Sequence, residues 1–185
     1  PCILIPIYNH GYAITATIEK LKIYGLPIFI IDDGSDDATK QSLARINASY
    51  PDIHILLHKN NKGKGAALKT GFRTALSKGF THALQIDADG QHNIANVPKF
   101  LSRGNECTQG LICGEPVYDA SIPKSRLYGR RITNFWIVIE TLSFKIPDAM
   151  CGFRLYPLNE TVSLIDIYFI GNRMEFDIEI LVRFA

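Results

Sequence analysis

Asp87 and Asp89 stand two residues apart in the stretch QIDADGQH, directly after an apolar run. At the end of a strand, both carboxylates can be aimed outward around one divalent cation. Gln91 adds a neutral oxygen at the next alternate position. Hard oxygen ligands of this kind suit Mg²⁺ or Mn²⁺, which keep several waters and take phosphate oxygens from a substrate. Asp and Gly also favour plain turns, so the spacing alone does not separate a metal site from a turn. Asp32 and Asp33 close an earlier apolar run, PIFII at 27–31. A carboxylate there can accept hydrogen bonds from a nucleobase N–H or from ribose hydroxyls. Ser35 and Asp36, just beyond, are candidates for capping a helix. Tyr8 follows the first apolar run and can stack on a base or pack at a strand end. Asn60-Asn61-Lys62-Gly63-Lys64-Gly65 is a glycine-rich basic turn that opens a helical period. Its glycines permit close backbone approach, and a helix N-terminus favours phosphate. No Ser or Thr follows its Gly-Lys pair, so it is not a Walker loop. A solvated turn has the same composition. Of His10, His54, His58, His82 and His92, none shows ligand spacing. His92, beside the acidic turn, is the one to watch, and the others are expected at the surface or at strand edges.

These residues need elements to hold them. Cys2 to Tyr8, Pro27 to Ile31, Ile53 to His58, Thr81 to Ile86 and Gly110 to Gly114 read as five strands. Helical periods separate them: Ile14, Ile18 and Leu21; then Leu43 and Ile46; then Leu68, Phe72, Ala75 and Leu76; then a short helix at Pro98 to Leu101. Strand–helix alternation predicts an α/β fold, with a mainly parallel sheet covered on both faces. Ligands of such sheets collect at the carboxyl ends of the strands. Three polar, glycine-bearing stretches fall at such ends. In the second half, Ile132, Phe135, Trp136 and Ile139 mark an amphipathic helix over Leu127 to Ser143, near Lys124, Arg126, Arg130 and Arg131. Gly152 to Tyr156 reads as a short strand and Met174 to Phe184 as a helix. This half is expected to cover the site and receive a second substrate. Phe135 and Trp136 serve core packing or bilayer contact.

The chain has 185 residues, 46% hydrophobic and 21% charged, the profile of one globular domain rather than a disordered chain. A net charge of +2 argues against a dedicated nucleic-acid binder. No apolar run approaches the roughly 18 residues that cross a bilayer. Cys2, Cys107, Cys113 and Cys151 form no CxxC pair, so buried thiols in a reducing compartment are expected rather than zinc or disulfides. The absence of an initiator Met and an apolar last segment suggest truncation at one or both ends.

Together the stretches IPIYNHG (5–11), IIDDGSDD (30–37), NNKGKGAALKTGF (60–72), QIDADGQH (85–92), DAMCGFRLYP (148–157) and RMEFDIEIL (173–181) occur in the order of the family 2 glycosyltransferases. The chain most resembles their dolichyl-phosphate mannose synthase and bacterial polyprenyl-phosphate branch. The resemblance implies a nucleotide-sugar-binding fold of the glycosyltransferase A type, using Mg²⁺ or Mn²⁺, over a single domain. Residues 1–115 would form its nucleotide-sugar half and 116–185 its acceptor half. Position by position, it implies nucleoside contacts for Pro6, Tyr8 and Asp32 or Asp33, and a place near the donor for Lys64. Asp87, Asp89 and Gln91 match the metal- and diphosphate-binding motif. Arg126, Arg130 and Arg131 resemble the basic residues near the acceptor, and Arg154 matches the Arg of the Gly-Phe-Arg segment. Two residues depart from the family pattern. His10 stands where Glu or a similar residue is usual. Asp177 stands where many lipid-phosphate members carry a neutral residue and hydroxyl-directed members place a catalytic Asp.

The expected activity is inverting transfer of a sugar from a nucleoside-diphosphate sugar to a polyprenyl phosphate or other membrane-associated acceptor. Peripheral contact with the inner face of the membrane, on the cytoplasmic side, would accompany it. An anionic lipid phosphate needs arginines rather than a base, whereas a hydroxyl acceptor needs one, for which Asp177 is the candidate. A non-catalytic nucleotide-binding module is the alternative from another class. A sugar nucleotidyltransferase would carry a Gly-rich, Arg-bearing loop where Asn9-His10-Gly11 stand.

Overall fold

A computed structural model describes residues 1–114 and 151–185. The first apolar run forms β1 (Cys2–Ile7), buried along its whole length. Successive side chains of a strand point to opposite faces. Ile3, Ile5 and Ile7 accordingly enter one core cluster, and Cys2 and Leu4 enter another. β2 (Ile28–Asp32) repeats the pattern, with Ile28 and Ile30 on one side and Phe29 and Ile31 on the other. Strands apolar on both faces require cover on both. β3 (His54–Leu57), β4 (His82–Gln85), β5 (Ile112–Cys113) and β6 (Arg154–Pro157) complete a six-stranded sheet of order β3-β2-β1-β4-β6-β5. β1 pairs in parallel with β2 and β4, and β2 with β3. β6 runs antiparallel to β4 and β5. The sheet is therefore mainly parallel, as the strand–helix alternation predicts.

α1 (Gly11–Leu21), α2 (Asp37–Ser49) and α4 (Val97–Glu106) cover the first face through Ile14, Ile18, Leu43, Ile46, Val97 and Phe100. α3 (Lys64–Ser77), α5 (Leu158–Ile167) and α6 (Phe176–Phe184) cover the second through Leu68, Phe72, Leu158, Ile165, Phe176 and Ile180. Of the two capping candidates, Asp36 caps α2, its side chain accepting from Thr39 N at 2.8 Å. Ser35 instead accepts from Asn9 N at 3.0 Å, while Asn9 Oδ1 accepts from Asp36 N at 2.8 Å. This exchange ties the β1 end to the β2 end, and Asn9 adopts a left-handed φ of 58°.

The helix expected at Pro98 to Leu101 runs ten residues, with Pro98 in the first turn, where its missing N–H costs nothing. α5 has no clear signal in the sequence. Leu158, Thr161 and Ile165 form its buried stripe, too short a signal after a strand to stand out. Cys2 and Cys151 are buried as expected, but Cys107 is exposed because it lies just past the end of α4. Burial pushes the Cys2 thiol up to about 12. The helix expected over Leu127 to Ser143, with Lys124, Arg126, Arg130, Arg131, Phe135 and Trp136, lies outside the described residues.

Candidate functional site

The parallel strands β1, β2 and β4 bring their carboxyl ends to one edge of the sheet. Pro6, Tyr8, Asp33, Asp87 and Asp89 line a cavity of about 470 Å³ there, together with Lys64 at the start of α3. Tyr8 lines the cavity and is 47% exposed, which leaves its ring available for stacking. The two acids where β2 ends part company. Asp33 lines the cavity, while Asp32 is fully buried and accepts from Ser35 N through Oδ1. Asp33 is spoken for too: Oδ1 accepts from Lys62 N at 2.9 Å, and Oδ2 from Gly63 N at 2.6 Å. It thereby anchors the glycine-rich turn. Gly34 makes the junction possible, because its φ is +74° and a Cβ there would lie 2.5 Å from the Asn60 carbonyl carbon.

Lys64 links two of the acids. Its Nζ lies 3.0 Å from Asp87 Oδ1 and 3.0 Å from Asp177 Oδ2. Asp87 Oδ2 faces His92 Nε2 at 3.3 Å. Burial opposes the charge on Asp87, but the hydrogen bond from His92 and the Lys64 ammonium outweigh it and hold the carboxyl well below its usual range. Burial likewise opposes the charge on Lys64, and Asp177 and Asp87 outweigh it, raising Lys64 above its ordinary value. A carboxylate lowered on folding stabilises the protein above its unfolded pKa, and the benefit is lost as pH falls. A lysine raised on folding stabilises below its unfolded pKa, and the benefit is lost as pH rises. Thermal unfolding should therefore occur at a nearly constant temperature between these limits. Its midpoint should fall as pH drops below about 4 and again as it climbs above about 10.5. A midpoint that declines steadily from pH 8 to 5 would show that this ionic line does not set the acid response.

The expected residues do not all meet. Gln91 is exposed and lines a neighbouring cavity of about 860 Å³, walled by Phe100 and Phe153. The smaller cavity is the candidate site because it holds the strand-end carboxylates. Arg154 is fully buried behind it, as β6 pairs Arg154 with Gln85 inside the sheet. Its Nε donates to Cys151 O and its guanidinium to Asp177 O, so it holds the backbone before β6 and at the start of α6. Asp177 is buried behind Lys64 and does not line the cavity. Arg173 and His10 do, although neither was assigned a donor contact from the sequence. Arg173 arrives because the Gly63–Ala66 backbone packs on the 171–173 segment, Ala66 N donating to Asn172 O at 2.9 Å. A Cβ on Gly63 would lie 2.4 Å from that same oxygen. His58, expected at the surface or at a strand edge, follows the edge strand β3, with its side chain almost enclosed by partners distant in sequence.

Asp87 and Asp89 fit a Mg²⁺ or Mn²⁺ ion of the open kind, held by one or two carboxylates plus substrate phosphate oxygens. Among the described residues no group of three or more acidic, His or Cys side chains forms a closed protein cage. Gly152 leaves room for the Asp87 carboxylate, since a Cβ there would lie 2.2 Å from Asp87 Oδ2.

A family model described as "Glycosyl transferase family 2" matches residues 2–159. A dolichyl-phosphate beta-glucosyltransferase of Dictyostelium discoideum is 30% identical over 200 residues, covering 97% of this chain and 60% of its own length. An undecaprenyl-phosphate mannosyltransferase of Micrococcus luteus is 30% identical over 100 residues, covering 53% of this chain and 41% of its own. Among solved structures, a Pyrobaculum calidifontis mannosyltransferase in complex with GDP-Man and Mn²⁺ superposes with a TM-score of 0.60 at 18% identity. That match covers 95% of this chain and 50% of the other. TarS 1-349 of S. aureus in complex with UDP-GlcNAc gives 0.62 at 18% identity, covering 98% and 52%. At this identity the two structures speak to the fold alone. The chain spans 60% of the Dictyostelium relative and about half of each solved neighbour.

Proposed function

The chain belongs to glycosyl transferase family 2 and has the glycosyltransferase A-type fold, and from that premise we propose that it moves a sugar from a nucleoside-diphosphate sugar to a polyprenyl phosphate. The observation that carries this reading is the single cavity joining Tyr8, Asp33, Lys64, Asp87 and Asp89. Tyr8 stacks the base beside Pro6, and Asp33 borders the nucleoside. The anomeric carbon loses its bond to the diphosphate oxygen as an acceptor oxygen bonds to it from the opposite face, inverting the centre. The leaving diphosphate gathers negative charge, and Lys64 presents an ammonium at the rim of the cavity to meet it. Asp87 and Asp89 would hold a Mg²⁺ or Mn²⁺ ion, which when bound neutralises further charge on the diphosphate. Gln91 would belong to this cation's surroundings only by turning from its own cavity.

A phosphate acceptor is already anionic and needs no base. The placement of Asp177 supports this: its Oδ2 pairs with Lys64, which stands between it and the cavity. Its Oδ1 has no hydrogen-bond partner among the described residues, the one feature that favours a base and a hydroxyl acceptor. Asp177→Asn decides between them. As a Lys64 partner it should reduce transfer to a lipid phosphate by no more than about tenfold, whereas loss of a general base costs about 10²–10⁴-fold. Rates for both acceptor types, measured on the variant, check this. Arg126, Arg130 and Arg131 are proposed to receive the acceptor phosphate, while Arg154 holds the backbone behind the site.

Contact with a membrane surface is supported by Ile167, Tyr168 and Phe169, which are exposed at the end of α5, with the Arg183 guanidinium 4.3 Å from the Tyr168 ring centre. Aromatic and basic side chains of this kind suit the lipid–water interface. No helix among the described residues is long and apolar enough to cross a membrane. The decisive experiment incubates the protein with radiolabelled UDP- and GDP-sugars, Mn²⁺ and a polyprenyl phosphate. Label in the lipid extract supports the reading. Label transferred only to an alcohol, or no donor turnover with either nucleotide, overturns it.

A further inference from the structure

His58 sits where β3 ends, its side chain 8% exposed. Its Nδ1 is 2.8 Å from Asp33 Oδ1, and its Nε2 is 3.0 Å from Thr70 Oγ1 in α3. An ionised Asp33 can only accept, so Nδ1 carries the proton of that bond. Thr70 is itself held by Ala66 O at 3.0 Å. The imidazole thus spans the end of β2 and the first turns of α3. The carboxylate it grips is the one on which the backbone N–H groups of Lys62 and Gly63 hang. Those residues lead into Lys64, and Asn61, Gly63 and Lys64 all line the cavity. Asp33 has three donors converging on two oxygens, one of them a side chain that reaches it from the face away from the cavity.

We propose that His58 is a positioning residue for the donor-side loop: wedged between Asp33 and Thr70, it fixes the carboxylate that suspends the Lys62–Gly63 turn and so sets affinity for the nucleoside diphosphate. His58 does not line the cavity and acts only through Asp33. Without it, Asp33 keeps the two backbone donors but loses the lateral bond that stops its carboxylate from rotating. The turn then samples positions in which Gly63 and Lys64 no longer meet a diphosphate. The cost falls on binding and not on the chemical step, because a bound donor restores the turn. The affinity half of this proposal rests on the donor reading of the cavity, while the loop half stands on the hydrogen bonds alone.

Three variants separate the possibilities. His58→Asn places an amide nitrogen where Nδ1 stands and keeps the bond to Asp33. His58→Gln extends its amide toward Thr70 and gives up Asp33. His58→Leu removes both. Calorimetric binding of UDP and GDP with Mn²⁺ should weaken by about tenfold in the Leu and Gln variants, the usual loss for one charged hydrogen bond, and by about twofold or less in Asn. Donor KM should follow the same order, with kcat at saturating donor within about twofold throughout. Hydrogen–deuterium exchange, read without nucleotide, should quicken at the Lys62 and Gly63 amides in Leu and Gln but not in Asn. Equal behaviour of Asn and Leu, unchanged affinity in Leu, or a fall in kcat with KM unmoved overturns the proposal. Should the wild type bind neither nucleotide, the donor reading and the affinity half fall together. The exchange pattern then judges the loop half by itself, and unaltered exchange in Leu overturns that too.

Discussion

Asp89→Ala should abolish the Mn²⁺-dependent binding of a nucleoside-diphosphate sugar and lower glycosyl transfer by about 10³-fold, the scale set by several kcal/mol of charge stabilisation at a departing diphosphate. Asp89 is the sharper probe of the acidic turn than Asp87. Asp87 is also a structural partner of Lys64 and His92, so its loss would disturb the ionic line as well as the cavity. Asp89 lines the cavity half-buried, and among the described residues its hydrogen bond is accepted from Gln91 N at 3.0 Å, closing the turn around Gly90. That bond contributes about 1 kcal/mol, so the unfolding temperature should fall by only about 2–4 °C. Asp89→Asn keeps an acceptor for Gln91 N and removes only the charge. It should bind the nucleotide as poorly as Asp89→Ala while unfolding at the wild-type temperature. Calorimetric titration with Mn²⁺ present and absent reads both variants. A dissociation constant unchanged in either would remove Asp89 from any role with the cation.

Lys64→Met should cost about 3 kcal/mol of stability, because it leaves the buried Asp177 carboxylate without its cation, and should eliminate transfer. Met preserves the length and the apolar stem, so the loss reports the charge and not a cavity. The unfolding temperature should fall by about 6–12 °C for a chain of this size. Removing the buried Asp177 partner as well, as in Lys64→Met with Asp177→Leu, should recover much of that stability, while Asp87 keeps His92. A buried ion pair replaced by apolar residues is often no worse than the pair, whereas half a pair is much worse. Activity should not return in the double variant, since the ammonium at the cavity rim is still missing. Scanning calorimetry of the two single variants and the double closes the cycle. A double variant as unstable as the sum of the singles would show that Lys64 and Asp177 do not couple.

His58 and Arg154 show where reading residues in order stops being enough. Both are polar side chains at strand ends; Arg154 meets Cys151 O three positions back, but the contacts that tie either residue to another element lie far along the chain. His58 reaches Asp33, 25 positions away, and Arg154 reaches the Asp177 carbonyl, 23 positions away. Gln91 shows the opposite difficulty. Its alternate spacing from Asp89 is that of a ligand on one strand face, but the turn at Gly90, with φ of +73°, ends the alternation and sends it to the neighbouring cavity.

The strand–helix order, the parallel centre of the sheet and the family were all legible in the chain itself. Unbroken apolar runs at Cys2–Ile7 and at residues 28–31 and a period near 3.6 between them are local signals of burial, and burial on both sides admits few architectures. The acidic and glycine-bearing turns were legible for the same reason, since they interrupt those periods. Folding alone settled which carboxylate of Asp32 and Asp33 looks into the cavity, that Lys64 is shared between Asp87 and Asp177, and that Asp177 stands behind it rather than within it. Apolar runs and helical periods are written over a few neighbouring residues, whereas the partner of a charge is chosen by which distant segments the packed helices bring within about 3 Å.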